Sequence, residues 1–376
     1  MVKTILLLTT PMPYSKIGSW TTMYNYYLQT SNHQIDYLVC PEPDVPLFDK
    51  VAYSFVKPTT FFTKVKSKLK LQHRLQHYFA ALDKIIQPNQ NYIIQIVDNS
   101  GIVLPLNHHL STKYQIKNFY IQYYYQGFVP IIANRYEKKF FGSIHEMLFL
   151  TGLSYKAYLN YYDDFVCKAS VLNNATNSKQ FFKLDAATKE QQKLKMGITP
   201  KLIFIWCSQD RPKKGLDLIL QAWKKIYENY ADEVALLIVG IDKPIAQDGV
   251  TVIGRVPNHE LSKYYQISDF YLFPTLWKEG FGIVLAEALK CGCYCIASNQ
   301  GGVPEVLEFG KLGRLIENPN YVHEWIDAIE VSISEYKANG YQNPYYQPHF
   351  DQLYDLEEWS EKMNILIKDA KESFDQ

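Results

Sequence analysis

The chain has 376 residues, 47% hydrophobic and 20% charged, with 39 Lys and Arg against 38 Asp and Glu. That length exceeds what one core usually serves, so two domains of ordinary size are expected. A net charge of +1 gives no general reason for a nucleic acid partner, and no run approaches the roughly 20 apolar residues of a membrane-spanning helix.

In chain order, "MVKTILLLTTPMPYSK" (1–16) reads as a buried first strand, because the small-residue cleavage site of a signal peptide is missing. Further apolar strands are predicted at 34–40, 92–98 and 118–125, with helical or mixed stretches between them, among them 19–30 and 64–87. Residues 61–79 combine five Lys and Arg with apolar residues near helical spacing. Such a segment suits either a solvated helix face or a peripheral seat on an anionic membrane surface. The second half alternates more cleanly: strands at 201–207, 234–240, 250–256, 269–275 and 294–298, helices at 215–230, 258–267 and 280–290, and another helix from Pro304. A last helix carries apolar residues at 359, 363, 366 and 370. Strand, crossover, strand in repeated order argues for α/β domains with doubly wound parallel sheets. The polar stretch from 182 marks the boundary, giving domains 1–181 and 182–357, with the helix from about 358 to 376 returning to the first. A ligand is expected in a cleft between them, where strand C-termini converge.

"EGFGIVLAE" (279–287) poses the chemical question: Glu287 falls in the middle of a helix whose other residues are made for burial. A buried carboxylate costs several kcal/mol unless something pairs with it. Gly280 and Gly282 at the start would let a phosphate approach unpaired amides and the positive end of the helix dipole. Glu287 then lies roughly 7.5 Å along the axis, leaning back toward the N-terminus, within reach of both hydroxyls of a ribose joined to that phosphate. Glu279 should project toward the far end of a diphosphate, on a donor sugar. In "SQDRPKKGLDLI" (208–219), Arg211, Lys213 and Lys214 follow a strand and could neutralise a departing diphosphate. "GGVPEV" (301–306) either shapes a turn or approaches the sugar. Cys291, Cys293 and Cys295 alternate in "CGCYC", which puts them on one face of an extended segment; they read as buried free thiols, the pattern of a cytosolic protein. His108, His109 and His145 show no partner spacing.

The segment "FPTLWKEGFGIVLAEALKCGCYCIASNQGGVPEVLEFGKLGRLI", with "SQDRPKKGLDLILQAW", "LLIVGIDKP" and "VIGRVPNHELSKYYQISDFYLFP", resembles the donor-binding half of the retaining glycosyltransferases of family 4, over residues 201–316. "EEWSEK" is similar to that family's terminal helix. The resemblance implies a GT-B fold of two Rossmann-like domains facing a central cleft. It implies Glu287 on the ribose, Glu279 at the sugar and reaction centre, and the backbone of Phe281, Gly282, Ile283 and Val284 on sugar and diphosphate. Lys214 matches the diphosphate lysine; Arg211 lies only three residues before it, where the family's arginine lies five or six before. Arg255 and Val256, after Gly254, resemble the base-contacting segment. Gly18 stands for a usual glycine pair near the phosphate, and Gln126 replaces a His near the transferred sugar; Asp98, ending the 92–98 strand, is grouped with it on the acceptor side.

The reaction so implied is sugar transfer from a UDP-, GDP- or ADP-sugar to a glycan or lipid-linked hydroxyl, with retention through front-face attack. No cofactor or metal is expected, since no Asp-any-Asp motif occurs. Cell-surface polysaccharide, lipopolysaccharide or glycolipid synthesis is the expected setting, in the cytoplasm or on the inner face of the membrane. A catalytically idle, nucleotide-sugar-binding subunit is the alternative, and an epimerase or phosphorylase of similar fold a more distant one.

Overall fold

The computed structural model describes residues 2–15, 18–58, 75–198, 202–339, 343–347, 350 and 352–375. The chain divides into two compact units, Met1–Asn174 with Leu356–Gln376, and Ala175–Asp355. The division falls at 174/175, seven residues before the polar stretch chosen from sequence.

The first unit holds seven parallel strands: β1 Lys3–Leu7, β2 Tyr37–Pro41, β3 Ala52–Val56, β4 Tyr92–Val97, β5 Phe119–Tyr124, β6 Glu146–Phe149 and β7 Lys168–Val171. Their spatial order is β3-β2-β1-β4-β5-β6-β7. β4 and β5 are buried at every position, as strands covered on both faces are; each carries one glutamine, and Gln95 Nε2 donates to Gln122 Oε1 at 3.1 Å. The helix Leu356–Glu372 belongs to this unit. Its Trp359 ring meets Tyr24 and Tyr27 edge-on at 5.3 and 5.7 Å, and Asn364 accepts from the Tyr27 hydroxyl at 2.5 Å. Of the basic 61–79 segment, residues 61–74 lie outside the described residues; Gln76–Leu82 is helical.

The second unit holds β8 Leu202–Cys207, β9 Val234–Val239, β10 Val250–Gly254, β11 Phe270–Phe273, β12 Tyr294–Ser298 and β13 Gly313–Ile316, in the order β10-β9-β8-β11-β12-β13 and all parallel. Phe204 of β8 sits beside Phe270 of β11 in register, their rings stacked at 4.6 Å. Order reverses between β8 and β11, so the loops leaving their C-terminal ends diverge around the crevice where open sheets bind ligands. The polar stretch after 182 is no bare linker: Ala186–Lys195 is a helix capped by Asp185, which accepts from the Thr188 amide at 2.9 Å.

Two sequence expectations are corrected here. The three cysteines do not share a strand face. Cys291 caps the Ile283–Lys290 helix, Gly292 turns the chain at φ +96°, and β12 begins only at Tyr294. The helix from Pro304 is one short turn, Val303–Val306.

Candidate active site

The loops leaving β8 and β11 are stitched together residue by residue. After β8, Arg211 precedes a tight turn, Pro212–Lys214, and Gly215 at φ +67° starts the helix Leu216–Tyr230. A Cβ on Gly215 would lie 2.0 Å from the carbonyl oxygen of Pro274, the first residue beyond β11. Only glycine allows that approach in that backbone conformation. The Leu276 amide donates to the Lys213 carbonyl at 2.8 Å, and the Trp206 indole donates to the Lys214 carbonyl at 3.1 Å. Lys213 Nζ stands 4.7 Å from the centre of the Trp277 ring, a cation–π distance.

This stitching delivers Lys214 Nζ to within 2.5 Å of Glu279 Oε1. The same oxygen accepts from Thr275 Oγ1 at 3.2 Å. Thr275 is buried and was invisible to pattern reading, because one hydroxyl after a strand has no periodicity. The backbone of Glu279 is held from the other side. The Gly302 amide donates to its carbonyl at 2.8 Å, and a Cβ on Gly301, at φ +64°, would come within 2.5 Å of that carbonyl oxygen. The glycine pair of "GGVPEV" therefore clamps Glu279.

Gly282, at φ +83°, is the N-cap of the Ile283–Lys290 helix. Phe281 puts its ring into the core, edge-on to Tyr354 at 5.1 Å, which leaves its backbone and the helix's first-turn amides at Ile283 and Val284 to act. Such amides have no intrahelical partner. Glu287 is buried, 6% exposed, among Leu285, Ala286, Ala288 and Leu289. Among the described residues no side-chain hydrogen bond or ion pair reaches it. Burial pushes its carboxyl up to about 8. Around it stand Cys207, Tyr265, Tyr271 and Cys291, all more readily protonated than usual, with desolvation the largest cause; the Cys207 thiol is pushed up to about 12. An acid in such a shell either stays neutral or awaits a donor from outside the chain.

Cys207 also lines a cavity of about 490 Å³ at the ends of β8, β9 and β10, with Arg211, Gly240, Arg255 and Val256 in its wall. Ser208 and Gln209, at the two positions six and five before Lys214 where the resemblance would put an arginine, line it too. Arg255 Nε is paired with Asp242 at 3.1 Å in an exposed position, and Gly254 takes φ +91°. The structure thus gathers Lys214 with Glu279, and Arg211 with Arg255 and Val256, with Cys207 joining that cavity to Glu287.

In the first unit, the Gln126 amide donates to Asp98 Oδ1 at 3.3 Å, and both side-chain polar atoms of Gln126 are buried without a partner among the described residues. Gly18 caps the first helix, its carbonyl accepting from the Thr22 amide at 3.2 Å. Sequence spacing gave the histidines no partner, yet His109 Nε2 lies 2.9 Å from Asp83 Oδ1 and its ring stacks on Phe79; His145 Nδ1 accepts from the Ile121 amide at 3.1 Å. Among the described residues no group of three or more His, Cys, Asp or Glu could hold a metal ion, and no helix is long and apolar enough to cross a membrane.

Two Rossmann-like parallel-sheet units define the GT-B fold class. Residues 188–343 match the family described as glycosyl transferases group 1. The chain is similar to spore coat protein SA of Bacillus subtilis, 29% identical over 38% of this chain and 42% of that one. It is also similar to a GDP-mannose-dependent alpha-(1-6)-phosphatidylinositol monomannoside mannosyltransferase of Mycolicibacterium smegmatis, 26% identical over 42% and 44%, and to N-acetyl-alpha-D-glucosaminyl L-malate synthase of Bacillus anthracis, 31% identical over 38% and 39%. The chain spans less than half the length of these curated relatives. Among solved structures, sucrose-phosphate synthase from Thermosynechococcus elongatus shares the fold at a TM-score of 0.71 and 16% identity, covering 99% of this chain and 100% of that one. Anabaena HepE in complex with UDP does so at 0.70 and 13%, covering 98% and 100%.

Proposed function

We propose that this chain is a glycosyltransferase moving a sugar from a nucleotide diphosphate sugar to an acceptor hydroxyl, with retention of anomeric configuration and without a metal ion. The observation that carries the reading is Glu287, a buried carboxylate with no side-chain partner among the described residues, near enough to the cavity-lining Cys207 to act on it electrostatically. A ribose placed there supplies two hydroxyl donors to an acid that otherwise stays neutral. Arg255 and Val256 then flank the base. The first-turn amides of Ile283 and Val284, with Phe281 and Gly282 backbone, face the diphosphate. Lys214 and Arg211 neutralise the charge that grows on the leaving group, the part a metal plays in other transferases. Once Lys214 turns to the diphosphate, Glu279 is free to accept from the donor sugar and to steady positive charge on its anomeric carbon.

The UDP complex of HepE and the GDP-mannose named for the mannosyltransferase support a nucleotide-sugar donor, and the phosphatidylinositol monomannoside in the latter's name supports a lipid-linked or glycan acceptor, as in glycolipid or cell-surface polysaccharide synthesis. Acceptor recognition is assigned to Gln126, through its side-chain carboxamide, and to Asp98 in the first unit. The setting proposed is the cytoplasm or the inner face of the membrane.

A thermal-shift screen of UDP-, GDP- and ADP-sugars tests this: a stabilising donor that is slowly hydrolysed supports the enzyme. Stabilisation with no turnover under any acceptor supports the idle, binding-only subunit. No stabilisation by any of them removes the donor site altogether.

A further inference from the structure

Glu279 has two partners on one oxygen, and the reading above takes one of them away. Lys214, at 2.5 Å, serves the diphosphate in that reading by turning away from the carboxylate. Thr275 Oγ1, at 3.2 Å, is the partner that remains. Its surroundings allow little freedom: the residue is 1% exposed, and the Trp277 amide donates to the hydroxyl oxygen at 3.3 Å. The hydroxyl proton has two acceptors in range, Glu279 Oε1 and the Trp277 carbonyl at 3.3 Å. An ionised carboxylate is the stronger acceptor. Trp277 is in turn fixed by Lys213 over its ring, and the Gly301–Gly302 turn fixes the Glu279 backbone. With the backbone held, what is left for Thr275 to control is the set of torsions along the Glu279 side chain.

We propose that Thr275 is a positioning residue: it keeps the Glu279 carboxylate aimed at the donor sugar after Lys214 has exchanged that carboxylate for the donor's diphosphate. This rests on the donor-site reading above. Lys214 and Glu279 neutralise each other until the diphosphate arrives, and Thr275 prevents the released acid from swinging away. Its effect belongs to turnover, not to nucleotide affinity, because the hydroxyl touches Glu279 and not the phosphates.

The test compares Thr275→Val and Thr275→Ser with wild type. UDP, GDP and ADP are titrated calorimetrically, hydrolysis of the matching nucleotide sugar is followed, and crystals are grown with the nucleotide that binds. Thr275→Val is expected to lower kcat about tenfold, the worth of one hydrogen bond to a charged group, with nucleotide Kd within about twofold of wild type. Thr275→Ser restores kcat. In the wild-type complex Glu279 stays on Thr275 with Lys214 turned away. Thr275→Val with unchanged kcat, a fall in affinity that matches the fall in kcat, failure of Thr275→Ser to rescue, or a wild-type complex with Glu279 off Thr275 each overturn the positioning role. If wild type binds none of the three nucleotides, it is the donor-site reading that fails, and this role with it.

Discussion

Replacing Glu287 with Gln separates the stability of the second unit from its ligand chemistry. The carboxyl titrates at about 8 in the folded chain against an ordinary 4.5, with burial as the cause. The folded state therefore holds its proton more tightly than the unfolded one. Stability is fullest below about pH 4.5, falls as pH rises through the window up to 8, and levels off above it. A separation of about 3.5 pKa units corresponds to on the order of 5 kcal/mol lost by pH 9. A buried, unpartnered glutamine amide costs about 1–3 kcal/mol of its own at any pH. Glu287→Gln should then be more stable than wild type by about 2–4 kcal/mol at pH 9, a rise of roughly 4–16 °C in Tm for a unit of this size. Near pH 5 it should be equal or slightly less stable. Scanning calorimetry of both proteins from pH 5 to 9 reads this directly. Equal Tm values at pH 9, or a wild type whose Tm does not fall between pH 5 and 8, would mean that the carboxylate has a partner and the reasoning is wrong.

Nucleotide binding should carry the same proton. Hydroxyl donors favour the ionised acid, so wild-type affinity for a nucleoside diphosphate rises with pH up to about 8 and then flattens, while Glu287→Gln shows no such slope in calorimetric titrations. Lys214→Met should weaken nucleoside diphosphate binding about 10–100-fold, the range for a charged hydrogen bond, and leave nucleoside binding unchanged. Gly215→Ala forces a Cβ to 2.0 Å from the Pro274 oxygen at φ +67°; a loss of about 3 kcal/mol or more, read as a lowered Tm, is expected. Excess EDTA should leave donor turnover at its untreated rate; a loss restored by added magnesium or manganese would contradict the metal-free reading.

The second unit was the more legible. Unbroken runs such as "VALLIV" and "FYLF" can only be strands covered on both faces, and the helix Asn258–Ile267 lies where its apolar spacing put it. Glu287 stood out because nothing around it was polar. In the first unit, β3, β6 and β7 were missed. "AYSFV" mixes exposed, half-buried and buried positions, "KASV" has only exposed and half-buried ones, and "EMLF" buries a glutamate, so neither alternation nor an apolar run marks them. "CGCYC" misled because period-two spacing assumes an extended backbone, which Gly292 breaks. The Lys214–Glu279 contact spans 65 residues and depends on β8 and β11 being neighbours, a fact of strand order that no local motif encodes. Thr275 was hidden for the same reason, since its importance lies in what it touches.

The most direct measurement pairs each of UDP, GDP and ADP with its 2′,3′-dideoxy counterpart, titrated into wild type and Glu287→Gln. With Glu287 on the ribose, the nucleotide that binds wild type loses at least about tenfold in affinity when both hydroxyls are removed, and Glu287→Gln shows much less of that loss. A dideoxy nucleotide that binds wild type as tightly as its parent would place the ribose elsewhere and contradict the account.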